Sequence, residues 1–235
     1  MTNPRTARAP RVRRSTRRAP LTLDLVLLAF RDGRLQLLVI EASDGARGRR
    51  ELPWVSYEGA EALDGAARQA ARGALAVPPA WLDQVGAFDG RKRHPSDVPL
   101  SLAFVGLVAD GGASAEAPYS WADLDSAGAL APRQRAMVET ALERLRERLD
   151  FEPLAFHLLP SAFTLGELQQ IYERLLGNPL HKASFRRALQ AAGLVQPLNE
   201  YRTEGRGRPA QLFRYAPRAR RVPARSARFD LLARE

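Results

Sequence analysis

The chain has 235 residues, of which 45% are hydrophobic, enough for one large domain or two of ordinary size. It contains no cysteine, which excludes disulfides, thiolate catalysis and cysteine-based zinc sites. No apolar run approaches the roughly 20 residues of a transmembrane helix, and the Arg-rich start lacks the apolar stretch of a secretory signal. We therefore expect a cytoplasmic protein, although an Arg-rich, acid-poor start is also typical of organellar transit peptides.

The net charge of +10 is distributed unevenly along the chain. Residues 1–20 hold seven arginines and no acidic residue, residues 21–152 hold 15 basic against 20 acidic residues, and residues 153–235 hold 14 against 6. An acidic body between two basic ends is typical of a polyanion-binding module joined to another domain. For residues 1–20, which we expect to form a disordered basic arm, a solvated surface that aids solubility explains the charge equally well.

Residues 21–152 predict strands alternating with helices, which is typical of an α/β or α+β domain. The expected elements are strands over 22–30 and 34–42, a helix over 61–77, a strand over 100–109 and a helix over 133–149. The first two strands flank Arg31-Asp32-Gly33, a hairpin signal. Residues 151–160 are expected to connect this domain to the next.

Residues 153–217 follow a different pattern, and residues 218–235 form a basic tail. A helix is expected over 163–177, because Thr164 and Glu167 have the spacing of a capping box and Gly177 follows. A second helix is expected over 181–193. Two helices joined by a tight turn and followed by two short strands predict a winged helix.

This predicted winged helix carries basic side chains on one face and at the tip of its hairpin. With Phe185 and Leu189 directed to the core, the neighbouring polar residues of the second helix point outward, where they suit the major groove of DNA. In the hairpin, glycines allow close approach of the backbone while arginines project. The candidate DNA-binding residues are His181, Lys182, Ser184, Arg186, Arg187, Arg202, Arg206 and Arg208. The alternative is a set of solvated helix charges and an ordinary turn.

The run FTLGELQQIYERLLGNPLHKASFRRALQAAGLVQP, with GRGRPAQLFRY after it, resembles the C-terminal winged helix of the Nudix-related transcriptional regulators. The resemblance extends upstream over roughly residues 21–216. It implies an α+β protein, in which a Nudix-like α/β/α sandwich with a mixed sheet is followed by a winged helix-turn-helix domain. It also implies a bacterial regulator, possible control of NAD metabolism, and ADP-ribose or a similar nucleotide or sugar-type molecule as effector.

Residues 51–77 correspond to the Nudix box, in which clustered glutamates hold Mg²⁺ or Mn²⁺ for hydrolysis of a diphosphate. Glu61 matches the first glutamate of the box. Ala70, Gly73 and Ala74 stand where the three helix glutamates belong. We therefore expect no catalytic residue, no metal site and no cofactor.

The effector-binding residues that the resemblance suggests are Trp54, Glu61, Arg91 and Arg93. Arginines of the 91–93 loop would meet a diphosphate, and the Trp54 ring would stack on a base. The alternatives are a solvated charged loop and core packing of the tryptophan. Trp54 and Val55 replace the two glycines that usually open the box, which adds bulk where a ligand would approach.

The combined prediction is a homodimeric transcriptional regulator, expected to be a repressor, that binds an inverted-repeat operator in double-stranded DNA. A small-molecule effector modulates it, and no membrane is involved. The competing hypotheses are a Nudix-type nucleotide-diphosphate hydrolase and a non-specific nucleic-acid-binding protein.

Overall fold

The computed structural model describes residues 20–42, 48–59, 61–109, 114–149, 151–203 and 209–216. The expected arm lies outside these residues except for Pro20, and so does the expected tail at 218–235. Among the described helices, none is long and apolar enough to cross a bilayer.

The strands in chain order are β1 (Leu21–Arg31), β2 (Arg34–Glu41), β3 (Arg49–Glu51), β4 (Trp54–Tyr57), β5 (Trp81–Asp89), β6 (Leu100–Val108), β7 (Ser120–Asp123), β8 (Ala129–Leu130), β9 (Phe163–Thr164), β10 (Val195–Arg202) and β11 (Ala210–Tyr215). The α-helices are α1 (Leu63–Ala74), α2 (Pro132–Leu149), α3 (Leu165–Leu176) and α4 (Lys182–Ala192). Short 3₁₀ helices lie at Leu124–Ser126 and Leu154–Leu158.

The first eight strands form one mixed sheet. Its main order is β5-β6-β1-β2-β3-β8, with β4 paired to β1 and β7 paired to β2. The β1–β6 and β3–β8 pairs are parallel, and the other pairs are antiparallel. The β1–β2 hairpin turns through Asp32 (φ 50°) and Gly33 (φ 72°), the two positive φ values that a tight hairpin turn needs. The hairpin predicted from Arg31-Asp32-Gly33 is confirmed.

Helices cover both faces of this sheet, because strand side chains alternate between the two faces. Leu23, Leu25 and Leu27 of β1 pack with the alanine side of α1, whereas Val26 and Leu28 face α2. The predicted α/β/α sandwich with a mixed sheet is therefore confirmed. The first helix is shorter than expected, since it occupies Leu63–Ala74 and not the whole of 61–77.

The C-terminal part has the winged-helix architecture that the sequence predicts. The Thr164 side chain accepts from the Glu167 N–H, and the Glu167 carboxylate accepts from the Thr164 N–H. This capping box precedes α3, which begins at Leu165. Gly177 and Gly193 end α3 and α4 in the left-handed conformation. Strands β10 and β11 form the hairpin, and β9 adds to β11 as the third strand.

The segment between the two parts is packed. Residues 151–160 contain the 3₁₀ helix Leu154–Leu158, and four of its five residues are buried. The apolar cluster on the α2 face of the sheet continues through this 3₁₀ helix into α3 and α4. The predicted connector is therefore part of one shared core.

Tight packing at Gly106 of β6 gives a stability prediction. A Cβ atom there would lie 2.6 Å from Leu27 Cδ2 and 3.1 Å from Leu82 Cδ1, and Leu27 is fully buried. We expect Gly106→Ala to lower the free energy of unfolding by about 1–3 kcal/mol, measured by urea denaturation.

The matched control is Gly73→Ala in α1, where a new Cβ meets nothing within 4 Å. Because alanine is the better helix former, this variant should match the wild type or gain up to about 1 kcal/mol. Equal stability of the two variants would contradict the packing argument.

Candidate functional site

A buried polar network lies at the end of the sheet where α2 begins. Its centre is Asp24, whose side chain is fully buried within an otherwise apolar strand. One carboxylate oxygen of Asp24 lies 2.8 Å from His94 Nε2 and accepts from Gln134 Nε2 at 3.0 Å, and the other accepts from Thr22 Oγ1 at 2.8 Å. A buried carboxylate needs such partners, because desolvation without hydrogen bonds is costly. The network therefore connects β1, the loop between β5 and β6, and the first turn of α2.

The tautomer of His94 follows from its second ring nitrogen. The Ser96 backbone N–H donates to His94 Nδ1 over 3.1 Å, so Nδ1 is an acceptor. The proton must then be on Nε2, which donates to Asp24. His94 thus fixes the loop between β5 and β6 against β1.

Arg133 holds the same loop from the first turn of α2. Its guanidinium donates to the carbonyls of Lys92 (3.0 Å) and Val98 (2.8 Å) and to Ser101 Oγ (3.1 Å), and its side chain is buried. Its backbone N–H donates to the Arg93 carbonyl at 3.0 Å. The loop that presents Arg91 and Arg93 is therefore held at several points along its length.

Trp54, a candidate effector residue, packs on this network. Its ring is half-buried and meets the His94 ring edge-on, with centroids 5.6 Å apart and planes at 72°. Its Nε1 donates to Glu51 Oε2 over 3.1 Å. These contacts fit the alternative that Trp54 is a packing residue for the buried part of its ring. The adjacent Val55 is exposed.

The other candidate effector residues are exposed. Arg91 forms an ion pair with Asp89 at 2.7 Å, and this hydrogen bond lowers the pKa of Asp89 and raises that of Arg91. Arg93 is exposed, and its carbonyl accepts a hydrogen bond from the Arg133 backbone N–H. Glu61 lies just before α1, and the Tyr57 hydroxyl donates to its carbonyl. The structure thus places the arginines in one loop and Glu61 at the start of a separate helix.

Two of the three positions of α1 that align with box glutamates, Ala70 and Ala74, belong to a packing surface. Ala74 is buried, Ala70 is partly buried against the same apolar cluster, and Gly73 is exposed. Small side chains let this helix lie close to β1 and β4.

Helix α4 presents the candidate DNA-binding face. His181, Lys182, Arg186 and Arg187 are exposed, whereas Phe185 and Leu189 are fully buried. The prediction that Ser184 points outward is wrong, because Ser184 is only 7% exposed. The buried stripe of a helix is broad enough to include this position, and the Ser184 hydroxyl accepts from Arg187 Nη2 at 3.3 Å and lies 3.1 Å from His181 Nδ1.

The turn between α3 and α4 is held by side chains of α3. Glu173 Oε1 accepts from the Leu180 N–H at 2.9 Å, and Gln169 Nε2 donates to the Leu180 carbonyl at 3.0 Å. Gln169 also donates to Glu173, at 2.9 Å. These bonds fix where α4 starts relative to α3.

Of the three candidate DNA-binding residues in the β10–β11 hairpin, the described part of the chain contains Arg202. Arg202 is half-buried and donates to Glu167 Oε1 at 2.6 Å and to the Ala162 carbonyl at 3.2 Å. Arg206 and Arg208 lie outside the described residues.

Comparisons with known proteins agree with this architecture. The family model for the NrtR DNA-binding winged helix domain matches residues 155–215. Over 205 residues the chain is 29% identical to the ADPR responsive transcriptional repressor NtrR of Acinetobacter baylyi, a match that covers 83% of this chain and 82% of the relative. The crystal structure of Shewanella oneidensis NrtR complexed with a 27mer DNA is 28% identical, with a TM-score of 0.71 over 84% of this chain and 94% of that chain. A MutT/nudix family protein from Enterococcus faecalis shares the fold at 17% identity, with a TM-score of 0.66 over 86% of this chain and 89% of that chain.

These matches support a Nudix-related transcriptional regulator family for the chain. The buried network was missed from the sequence, although Asp24 was a signal for it. A lone carboxylate in an apolar strand requires a buried partner. Its partners Gln134 and His94 are 110 and 70 residues away, so the sequence could not identify them.

The network predicts a stability effect at His94. We expect His94→Leu to lower the free energy of unfolding by about 1–3 kcal/mol, because it removes a donor from the buried Asp24 carboxylate. Urea denaturation measures this. The control is Arg91→Leu in the same loop, a fully exposed change that should stay within about 0.5 kcal/mol. A loss of similar size in both variants would argue against a structural role for the network.

Proposed function

We propose that this regulator binds operator DNA through α4 and the β10–β11 wing. The observation that carries the proposal is the face of α4, where Lys182, Arg186 and Arg187 are exposed beside His181. Arginine can donate two hydrogen bonds to guanine or to a phosphate, and the second helix of a helix-turn-helix enters the major groove. The NrtR relative complexed with a 27mer DNA, 28% identical to this chain, supports the same use here.

In this proposal Ser184 and Arg202 have other tasks than DNA contact. Ser184 is buried and accepts from Arg187, so it orients that side chain. Arg206 and Arg208 lie outside the described residues and are assigned to phosphate or minor-groove contacts on the sequence alone. We place the boundary between the Nudix-like part and the winged helix at residues 152 and 153.

We further propose a homodimeric repressor that acts in the cytoplasm and binds an inverted-repeat operator. Two-fold symmetric helix-turn-helix proteins bind two half-sites, which makes a palindromic operator the expected target. The A. baylyi relative is named as a transcriptional repressor, which supports repression as the output. We propose genes of NAD metabolism as its targets.

The proposed effector is ADP-ribose, bound by the Nudix-like part. Its support is the A. baylyi relative, which is named as ADPR responsive, and the exposed loop with Arg91 and Arg93 beside Trp54. The loop arginines would meet the diphosphate. Arg93 is the stronger candidate of the two, because Arg91 is already paired with Asp89.

We propose that the Nudix-like part does not hydrolyse its ligand. A Nudix centre needs several carboxylates around a hard cation, and Ala70, Gly73 and Ala74 occupy the helix positions for them. Glu61 precedes α1 and supplies one carboxylate.

The DNA-binding proposal predicts a loss of operator affinity for Arg187→Ala. We expect about 1–3 kcal/mol, or roughly 5- to 150-fold in Kd, if the guanidinium contacts a base or a phosphate. The measurement is titration of the promoter region next to its own gene, with DNase footprinting. The control is Arg174→Ala, which removes the same charge from an exposed position of α3. Equal effects of the two variants, or equal affinity of the wild type for random duplex, would favour non-specific binding.

The effector proposal predicts that ADP-ribose binds the free regulator and weakens its operator complex. We expect Arg93→Ala to lower ADP-ribose affinity by roughly tenfold, the loss of one charge-assisted contact, while operator affinity without ligand is retained. Calorimetry gives the ligand affinity, and footprinting with and without ADP-ribose gives its effect on DNA. Arg135→Ala in α2 is the matched control for loss of one exposed charge.

The same samples test the hydrolase alternative. With Mg²⁺ and ADP-ribose present, we expect no turnover above the uncatalysed rate. Turnover that required Mg²⁺ and fell in Glu61→Gln would contradict the proposal and identify a working Nudix centre.

A further inference from the structure

The pairing of β10 with β11 is irregular towards the outer end of the wing. The sheet order is β10-β11-β9, so β11 separates β10 from β9 and from the start of α3. The β10–β11 register shifts between Pro197 and Tyr201. Beyond the shift, Tyr201 pairs with Gln211 and Arg202 pairs with Ala210. A shift of this kind bends a strand and interrupts its ladder, so a contact outside the hairpin adds to what fixes the outer end of β10.

Arg202 supplies such a contact across the sheet. From the end of β10 its guanidinium donates to Glu167 Oε1 at 2.6 Å and to the Ala162 carbonyl at 3.2 Å. Ala162 immediately precedes β9, and Glu167 lies in the first turn of α3. Side chains of the pair are about one-third exposed, 34% for Arg202 and 27% for Glu167. Arg202 thus connects the outer strand of the wing directly to the helix-turn-helix.

Glu167 uses both carboxylate oxygens. Oε2 accepts from the Thr164 N–H at 2.6 Å as part of the capping box, and Oε1 accepts from Arg202. The capping box fixes the carboxylate relative to the axis of α3, so Arg202 meets an acceptor whose position is already set. Hydrogen bonds between charged groups are the stronger ones, and their geometry is specific for a guanidinium.

We propose that Glu167 and Arg202 form a clamp that positions the wing for DNA, and that Arg202 affects DNA binding through this clamp and not by touching DNA. The inference rests on the proposed DNA-binding function and changes the role that the sequence suggests for Arg202. Its guanidinium already donates to a carboxylate and a carbonyl on the α3 side. Glu167 and Arg202 are thus positioning residues of the wing.

The deciding variant is Glu167→Gln, because the two roles of Arg202 predict opposite signs. Glutamine is accepted in a capping box, so α3 keeps its start while the charge is lost. If Arg202 contacts phosphate, removing the neighbouring acid frees it and strengthens binding to polyanionic DNA. The clamp predicts weaker binding, since the wing loses its attachment.

We expect Glu167→Gln and Arg202→Gln each to weaken operator binding by roughly tenfold, the loss typical of one charge-assisted hydrogen bond. The double variant should be no weaker than Arg202→Gln, because the two residues act as one unit. Titrations of the full chain on its promoter DNA at several salt concentrations measure this. In hydroxyl-radical footprints, protection by the wing should be lost while protection by α4 remains.

The matched control is Arg214→Gln in β11, whose guanidinium donates to Gln196 within the same hairpin. It removes one wing charge without touching the clamp. Glu167→Gln should still weaken binding in the Arg214→Gln background and should have no further effect in the Arg202→Gln background. Arg202→Lys is a milder variant that keeps the charge. The clamp predicts weaker operator binding by Arg202→Lys, because an ammonium does not reproduce the contacts to both the carboxylate and the carbonyl. A direct phosphate contact by Arg202 predicts operator binding near that of the wild type.

Three outcomes would overturn the clamp. These are tighter or unchanged binding by Glu167→Gln, near wild-type binding by Arg202→Lys, and loss of α4 protection together with wing protection. Thermal unfolding and circular dichroism identify a variant that has lost its fold. Failure of the proposed function itself has a different signature, because the wild type would then show no preference for promoter DNA over random duplex.

Discussion

The structure depends on burial of the 3₁₀ segment Leu154–Leu158 between the large sheet and the winged helix. Phe156 packs against Phe163 of β9, with ring centroids 5.8 Å apart, and against Tyr215 of β11 at 4.5 Å. Each large apolar side chain buried in this way stabilises the fold by about 1.5–3 kcal/mol, before the entropy of ordering is subtracted. Apolar burial on this scale sets the position of the winged helix relative to the sheet. The segment is therefore the structural joint between the part that resembles a nucleotide-binding domain and the part that faces DNA.

The two parts also meet at a cleft of about 900 Å³ between the β1–β2 turn, α2 and α3. Near it, the Arg146 side chain of α2 donates to the Leu175 carbonyl of α3 at 2.8 Å. This guanidinium satisfies one of the carbonyls that a helix leaves unpaired at its C-terminus. A ligand can shift DNA affinity only if it binds two arrangements of the molecule with different free energies. The two parts of the molecule are thus joined by apolar packing at Leu154–Leu158 and by a hydrogen bond from Arg146.

Local sequence signals predicted the elements that depend on neighbouring residues. Thr164, Glu167 and Gly177 determined where α3 begins and ends, and the Asp32-Gly33 pair determined the first hairpin. The short strands β3, β4, β7, β8 and β9 escaped prediction, because two to four residues show no periodicity and are defined by pairing with distant segments. The predicted outward orientation of Ser184 failed because the position is buried in the helix packing, although a serine suits DNA contact. Arg202 pairs with an acid 35 residues away, a contact that the sequence could not identify.

The buried polar network around Asp24 lies on the α2 face of the large sheet. On the other face, Ala70 and Ala74 of α1 pack among apolar side chains of the sheet. On the α2 side, the Asp24 carboxylate and the His94 ring are both fully buried, so neither can meet a ligand directly. Their role is to hold the loop that exposes Arg91 and Arg93. A rigid loop reduces the entropy lost on ligand binding, which is how buried structural residues can raise affinity without contacting the ligand. The domain thus holds an exposed basic loop in place through buried hydrogen bonds.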